Sequence, residues 1–461
     1  MVLFRQVLHP DLGCASYVIA DTAAGLGAVV DPKRDVAAYL ELASAHGFAI
    51  AHVIETHNHA DHVSGRARLV EATGARSWVS PLAGAGYPHD PFPDGAEVEL
   101  GQVRLRALHV PGHRPEHTAV VVVDGSRSSL PCAVLTGDSL FVNDVARPDL
   151  AVEKHEGAAQ LYHAIGRLLE LDDGVEVFPG HTGGSLCGSA RMSETTSSTI
   201  GFERASNPML RLGEQSLFVS ELIHDLPPQP PNFTAIAEAN RAGTIGAAAP
   251  VAPYPPERLA AAIAAGALVI DGRPAPKYDA AHIPGTIGID ASVNGFGTKA
   301  AWIAEPAAEL VLVADDEPAA LHMQGLLESV GLSAAGLLAG GFPAWTAAGL
   351  GVERFQVMDV DELYAAGGRV QILDVRDQHE WDEQRITGSQ HVVYHDAGRV
   401  IPPLDRDRPV AVICTTGRRS AMAVGLVRRS GFAEVIHVTG GGVGTWAARG
   451  YPIEQSQPAA V

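Results

Sequence analysis

Glu55-Thr56-His57-Asn58-His59-Ala60-Asp61-His62 follows directly on the short run Ala51-His52-Val53-Ile54. Such a run reads as a β-strand, and the octad as the loop at its end. His57, His59, Asp61 and His62 are potential ligands crowded into one turn. A tight loop at a strand end aims such nitrogens and oxygens into a single pocket. Pro111-Gly112-His113, Thr136-Gly137-Asp138 and Phe178-Pro179-Gly180-His181 have the same form. In each, a glycine lets the backbone turn sharply so that the next side chain faces inward.

Around these segments, short β-branched runs alternate with helical patterns. Ala28 to Asp31, Val103 to Val110, Thr118 to Val123, Ala133 to Thr136 and Val175 to Phe178 are predicted strands. Val36 to His46 and Gly157 to Leu171 are predicted helices. The pattern predicts a layered α/β domain. Leu226-Pro227-Pro228-Gln229-Pro230-Pro231 breaks it, and Ala242 to Pro256, rich in Ala, Gly and Pro, reads as a linker.

Beyond the linker the chain repeats itself at a nearly fixed offset. Ile270-Asp271-Gly272-Arg273 answers Leu373-Asp374-Val375-Arg376, and His282-Ile283-Pro284-Gly285 answers Arg385-Ile386-Thr387-Gly388. Val311-Leu312-Val313-Ala314 answers Ala411-Val412-Ile413-Cys414; Gly325, Gly331 and Gly340 answer Gly425, Gly431 and Gly440; and Trp345 answers Trp446. This is a duplicated domain whose copies differ chemically, because Ala314 stands where Cys414 would be expected. The resulting division is 1–248, 249–355 and 356–461.

The chain has 461 residues, more than one hydrophobic core usually supports. Its 19% charged and 46% hydrophobic residues are ordinary for a soluble globular protein. No apolar run is long enough to span a membrane, and the start of the chain lacks the apolar core and cleavage site of a signal peptide. A cytoplasmic location is therefore expected. A formal charge of −20 with scattered basic residues argues against nucleic acid as a partner. Cys14, Cys132, Cys187 and Cys414 are far apart and form no C-x-x-C pair, which disfavours a disulfide framework or a thiolate-zinc site. Cys14 and Cys132 are read as structural.

Taken in order, the ligand-bearing segments resemble the metallo-β-lactamase superfamily over residues 1 to about 235. The resemblance implies an αββα sandwich with its metal site at one sheet edge. Gly137-Asp138-Ser139-Leu140-Phe141, Ala146-Arg147-Pro148-Asp149, and Pro179-Gly180-His181 leading into Gly184-Ser185-Leu186-Cys187-Gly188 look like persulfide dioxygenases, especially those fused to rhodanese domains. Ala146 departs from the glycine usual there. In that family His57, His113 and Asp138 would hold Fe(2+), one per chain, with open positions for substrate and O₂. His59, Asp61, His62 and His181 would orient the ligands and set their proton balance. The same residues could instead complete a dinuclear zinc site of the glyoxalase-II type. Arg147, a candidate catalytic residue, and Asp149 would form an ion pair that braces the site or touches substrate. Cys187 is either a relay for sulfane sulfur or a small buried thiol.

Pro409 to Ile413 reads as a buried parallel strand and Ser420 to Ser430 as a helix, joined by Cys414-Thr415-Thr416-Gly417-Arg418-Arg419. In such a turn the loop amides and the helix N-terminus converge on the cysteine sulfur, and Arg418 and Arg419 add positive charge. A depressed thiol pKa follows. This pattern resembles rhodanese, whose cysteine carries sulfane sulfur as a persulfide. Arg376 would hold the domain or bind an anionic donor. The earlier copy, with Ala314-Asp315-Asp316-Glu317 at the corresponding loop, has no nucleophile and reads as a rhodanese-like domain without activity. The fold class expected is thus α/β: a metallo-β-lactamase sandwich followed by two rhodanese-like domains. The resemblances together imply oxidation of a low-molecular-weight thiol persulfide by O₂ to sulfite or thiosulfate, with sulfur transfer at Cys414, in a homo-oligomer. A zinc thioester hydrolase and a non-enzymatic sulfur carrier are the alternatives.

Overall fold

Thr118–Asp124 is buried along its whole length, which shows what kind of sheet it belongs to. Successive side chains of a strand face opposite ways. Val120 and Val122 enter the core between two sheets, while Ala119 and Val121 enter a second core beneath a helical layer. Cys14–Asp21 in the facing sheet does the same, with Tyr17 and Ile19 turned inward and Val18 and Ala20 outward. Strands covered on both faces read as continuous apolar runs, not as alternating ones.

The computed structural model describes residues 2–455 apart from 184, 190, 225, 245–250 and 306–307. Gly184 of the motif quoted above and the expected boundary at 248/249 therefore lie outside the described residues. The chain divides into two compact units, the first made of residues 1–247 with 328–331 and the second of the remainder.

In the first unit, one six-stranded sheet runs in the order Val2–His9, Cys14–Asp21, Leu26–Val30, Ala49–Ile54, Arg76–Val79, Asp90–Pro91. The other runs Ser198–Thr199, Glu176–Pro179, Ala133–Gly137, Thr118–Asp124, Val103–His109, Glu97–Leu100. Tyr39 and Leu69, from the helices Ala37–His46 and Arg66–Thr73, pack on the first sheet, and Leu161, Ile165 and Phe218, from Lys154–Leu168 and Gln215–His224, on the second. This is the αββα sandwich. The long helix begins at Lys154 and not at Gly157, because the Glu153 carboxylate accepts from the His155 and Glu156 amides and caps it.

The second unit holds two five-stranded sheets, all of whose pairings are parallel. The first is ordered Ala252–Tyr254, Gly336–Leu338, Leu310–Val313, Leu268–Asp271, Ile287–Gly288. The second repeats that order with Gln356–Met358, Val435–Val438, Val410–Ile413, Gln371–Asp374, Gln390–His391. The duplication extends to buried polar detail. Arg273 clamps Asp271 and donates to the Ala281 carbonyl, as Arg376 clamps Asp374 and donates to the Gln384 carbonyl. The Trp345 indole donates to the Gly351 carbonyl at 2.9 Å, and that of Trp446 to the Pro452 carbonyl at 2.9 Å. The two repeats share a core in which Tyr278, Ile287 and Phe296 meet Val412, Met422 and Leu426.

The linker is shorter than its composition implies. Ala252–Tyr254 is an edge strand, where Pro253 forgoes an N–H at little cost. The helix after Cys414 runs Arg418–Arg429, starting two residues earlier than expected because Gly417, at φ 90°, caps it. Among the described residues no helix is long and apolar enough to cross a membrane.

Candidate metal centre and sulfur-carrying cysteine

The candidate metal centre forms where the strands Ala49–Ile54, Val103–His109, Ala133–Gly137 and Glu176–Pro179 end. Gly112, at φ 138°, turns the chain before His113, and a Cβ there would lie 2.5 Å from Leu161 backbone atoms. Gly180 allows a close approach of another kind, since a Cβ on it would meet Asp138 Oδ1 at 2.5 Å.

The hydrogen bonds around the two imidazoles fix their tautomers. Asp31 accepts from the Thr56 amide and hydroxyl, both at 2.8 Å. With its hydrogen spent on Asp31, Thr56 Oγ1 accepts from His57 Nδ1 at 2.9 Å. His113 Nδ1 donates to the Arg147 carbonyl at 2.9 Å. Each ring therefore presents a bare Nε2. Asp138 uses Oδ1 for His181 Nδ1 at 2.8 Å, which leaves Oδ2. His57 Nε2, His113 Nε2 and Asp138 Oδ2 are buried without a hydrogen-bond partner. Asp138 Oδ2 is 3.9 Å from the first and 3.5 Å from the second. An unmet buried polar atom costs about 1–3 kcal/mol, so the convergence of these atoms fits a bound cation. Burial pushes both imidazoles toward their neutral, ligating form, and for His57 the rings of His59, His117 and His113 reinforce this.

The other expected residues fall into two groups. His59 Nε2 stands 3.1 Å from Asp31 and 3.4 Å from Glu55. Burial opposes its protonation, but these carboxylates outweigh burial and raise its pKa. Asp61 accepts from His62 Nδ1 at 3.1 Å and from His181 Nε2 at 2.9 Å. His181 thus spans two carboxylates with both ring nitrogens. Burial lowers its pKa, yet Asp138 and Asp61 together lift it to about 10.

Arg147 directs its guanidinium to Asp149 at 2.7 and 2.8 Å and to the carbonyls of Leu186 and Pro227. Its donors brace the chain behind His113. Cys187 is buried beside Asp61 and His181. Burial, with Asp138 and Asp61, raises its pKa well above an ordinary thiol's. Cys14, read from sequence as structural, lies within 4.8 Å of Asp61 and His62 ligand atoms. Sequence reasoning also missed Asp31, at φ 50°, and His117, which accepts the Asp138 amide at 2.8 Å. An acid closing a β-branched run was the available signal for Asp31; His117 carried none.

In the second unit, the Gly417 amide donates to Cys414 Sγ at 3.1 Å, and Ser420 Oγ is 3.5 Å from it. Burial raises the thiol's pKa, but the Ser420 hydroxyl, the Ser420 and Thr416 amides and the Arg419 charge bring it below the ordinary value. Gly442 lets a neighbouring turn close on this loop, for a Cβ there would sit 2.1 Å from the Cys414 carbonyl oxygen. Arg419 is held by Asp377 and Glu380 and donates to Thr415 Oγ1 at 2.8 Å. Arg418 is exposed in the first helical turn. Arg376, on its Asp374 clamp, holds the domain. In the earlier repeat Asp315 pairs with Lys277 at 2.6 Å and Asp316 accepts from the Ala319 amide at 2.9 Å.

Comparison with known proteins matches three stretches of the chain. The metallo-beta-lactamase superfamily matches residues 9–181, and the rhodanese-like domain family matches 255–348 and 359–449. A mitochondrial persulfide dioxygenase ETHE1 of Bos taurus is 28% identical over 241 residues, spanning 51% of this chain and 87% of its own. A hydroxyacylglutathione hydrolase of Anaeromyxobacter dehalogenans is 34% identical over 226 residues, 43% of this chain and 83% of its own. Among solved structures, a metallo-beta-lactamase from Staphylococcus aureus superposes with a TM-score of 0.66 at 27% identity, covering 73% of this chain and 99% of that one.

Proposed function

The chain belongs to the metallo-β-lactamase superfamily and carries two rhodanese-like domains behind that unit, and from this premise we propose an iron-dependent persulfide dioxygenase coupled to a sulfurtransferase. The observation that carries the reading is the convergence of His57 Nε2, His113 Nε2 and Asp138 Oδ2, all buried and unpartnered. Two imidazoles and one carboxylate form the donor set of non-haem ferrous oxygenases. Bound there, iron would supply the redox chemistry that joins dioxygen to a sulfane sulfur. The likeness to ETHE1 supports the same substrate class.

Thr56 and the Arg147 carbonyl keep both imidazole lone pairs aimed at one point, and His181 immobilises the other oxygen of Asp138. One R–S–SH, one O₂ and one water give R–SH, sulfite and two protons. At Cys414 the thiolate attacks the outer sulfur of a persulfide, the S–S bond of the donor breaks, and its thiol leaves with the proton. Sulfite then attacks the outer sulfur of Cys414–S–S⁻, releasing thiosulfate and the thiolate. The Gly417 amide and Ser420 hydroxyl are placed to hold that anion.

A dinuclear zinc thioester hydrolase is the second reading, favoured by the identity with a hydroxyacylglutathione hydrolase and by Asp61, His62 and His181 beside Asp138. Against it, both ring nitrogens of His181 are already spent on carboxylates, so that ion pair must open before the ring can bind a second ion. Protein purified without oxygen is expected to hold about one iron per chain and to consume oxygen with glutathione persulfide. Two zinc ions per chain with thioester hydrolysis would overturn the proposal.

A further inference from the structure

We propose that the cysteine-less repeat supplies a positioning residue to its neighbour's sulfur site: Asp279, acting through His437, aims the Ser420 hydroxyl at Cys414. Asp279 lies on Ala275–Ala280 of the first repeat, and His437 on Val435–Val438 of the second. Both are buried, and Asp279 Oδ2 accepts from His437 Nδ1 at 2.8 Å. His437 Nε2 lies 3.0 Å from the Gly417 carbonyl oxygen and 3.1 Å from Ser420 Oγ. Ser420 Oγ is in turn 3.5 Å from Cys414 Sγ.

The duplication acts as an internal control. Parallel pairing sets Leu312 against Leu337 in the first repeat and Val412 against His437 in the second, so His437 occupies the place of Leu337. Ser420, six residues past Cys414, likewise occupies the place of Ala320, six past Ala314. The three positions change together: Ala, Ala and Leu in the repeat without the thiol, Cys, Ser and His in the repeat with it. Leu and Ala fill these buried places without polar cost, whereas a buried imidazole and hydroxyl need partners. The polar set therefore serves the sulfur, since the fold is built without it next door.

The hydrogen bonds give the relay a direction. A carboxylate oxygen and a carbonyl oxygen only accept, so the contacts of the ring to Asp279 and to the Gly417 carbonyl are both met when a hydrogen sits at each nitrogen. Ser420 can otherwise donate to the Gly417 carbonyl, 3.1 Å away. With Nε2–H supplying both that carbonyl and Ser420 Oγ, the serine hydrogen is released toward the sulfur. It then donates to the thiolate or to a bound persulfide anion. The other charges around the thiol are Arg418 and Arg419, the latter held by Asp377 and Glu380, and Lys299 of the first repeat, which Asp290 accompanies.

This inference rests on Cys414 as the sulfur carrier, and the test reads the thiol itself. In the full chain, the iodoacetamide alkylation rate of the Cys414 peptide is followed by mass against pH for wild type, Ser420→Ala, His437→Leu and Asp279→Asn. The first two variants install the first repeat's residues. Their alkylation midpoints are expected to rise by about one pH unit, close to a tenfold loss of thiolate at a fixed lower pH. Asp279→Asn, nearly isosteric, should move in the same direction by less. A purely packing role would change melting temperature without moving the titration, and midpoints of Ser420→Ala and Asp279→Asn coincident with wild type overturn the proposal, whether or not His437→Leu folds. Because alkylation is blind to the substrate, a failed dioxygenase reading would show in oxygen uptake and leave this profile unaffected.

Discussion

At the scale of single residues, the proposed metal ligands His57, His113 and Asp138 are individually replaceable in shape but not in lone pairs. Asp138→Ala removes Oδ2 from the ion and Oδ1 from His181 at once, so bound metal and persulfide-dependent oxygen uptake should both fall to background, read by elemental analysis and an oxygen electrode. Asp31→Ala tests a residue outside the proposed ligand set: its carboxylate orders the Thr56 amide and hydroxyl and thereby the His57 tautomer. Losing hydrogen bonds to a charged group costs about 1.5–3 kcal/mol each, so metal affinity should drop by at least tenfold in competition titrations with a chelator. That His57, His113 and Asp138 converge was legible in the sequence, because metal-binding atoms at strand ends come from few residue types. Asp31 and His117 were not, because a residue that positions a ligand is defined by a contact between distant segments. The closeness of Cys14 to Asp61 was hidden for the same reason, since it arises only when two strand ends meet.

Secondary elements carry the sulfur loop. Gly442 is packed so tightly over it that Gly442→Ala drives a methyl into the Cys414 and Thr415 carbonyls, at 2.1 and 2.3 Å. Overpacking of this kind costs about 1–3 kcal/mol, and the expected outcome is a lower melting temperature together with loss of thiosulfate formation. Gly341 stands in the same relation to Ala314 and Asp315, while the positive φ of Gly417 has no counterpart at Asp315, Asp316 or Glu317. Ala314→Cys should still carry no sulfane sulfur by peptide mass, because Ala320 and Leu337 offer the new thiol no donor and Asp315 and Asp316 lie beside it. Sulfur on that residue would show the loop to be more permissive than its charges suggest. The parallel strands and the duplication were legible from apolar runs at a fixed offset. The start of the helix at Arg418 and the edge strand Ala252–Tyr254 were not, since the first depends on Gly417 adopting φ 90° and the second on a partner strand some eighty residues onward in the chain.

For the whole molecule, the two proposed chemistries would belong to separate compact units, each with its own core. Cys414→Ser should therefore leave iron content and oxygen uptake intact while thiosulfate gives way to sulfite, measured by ion chromatography. Thiosulfate at the wild-type rate would mean that it forms without Cys414. The buried state of Cys187 bears on how long such a protein lasts. Oxidation of sulfur begins at the thiolate, and a thiol that burial, with its neighbours Asp138 and Asp61, holds protonated makes a poor target even next to the proposed oxygen-using centre. Cys14 is protected in the same way. Under peroxide the chain should thus wear at Cys414 before Cys14 or Cys187, as a sulfenic acid that free thiols can reverse.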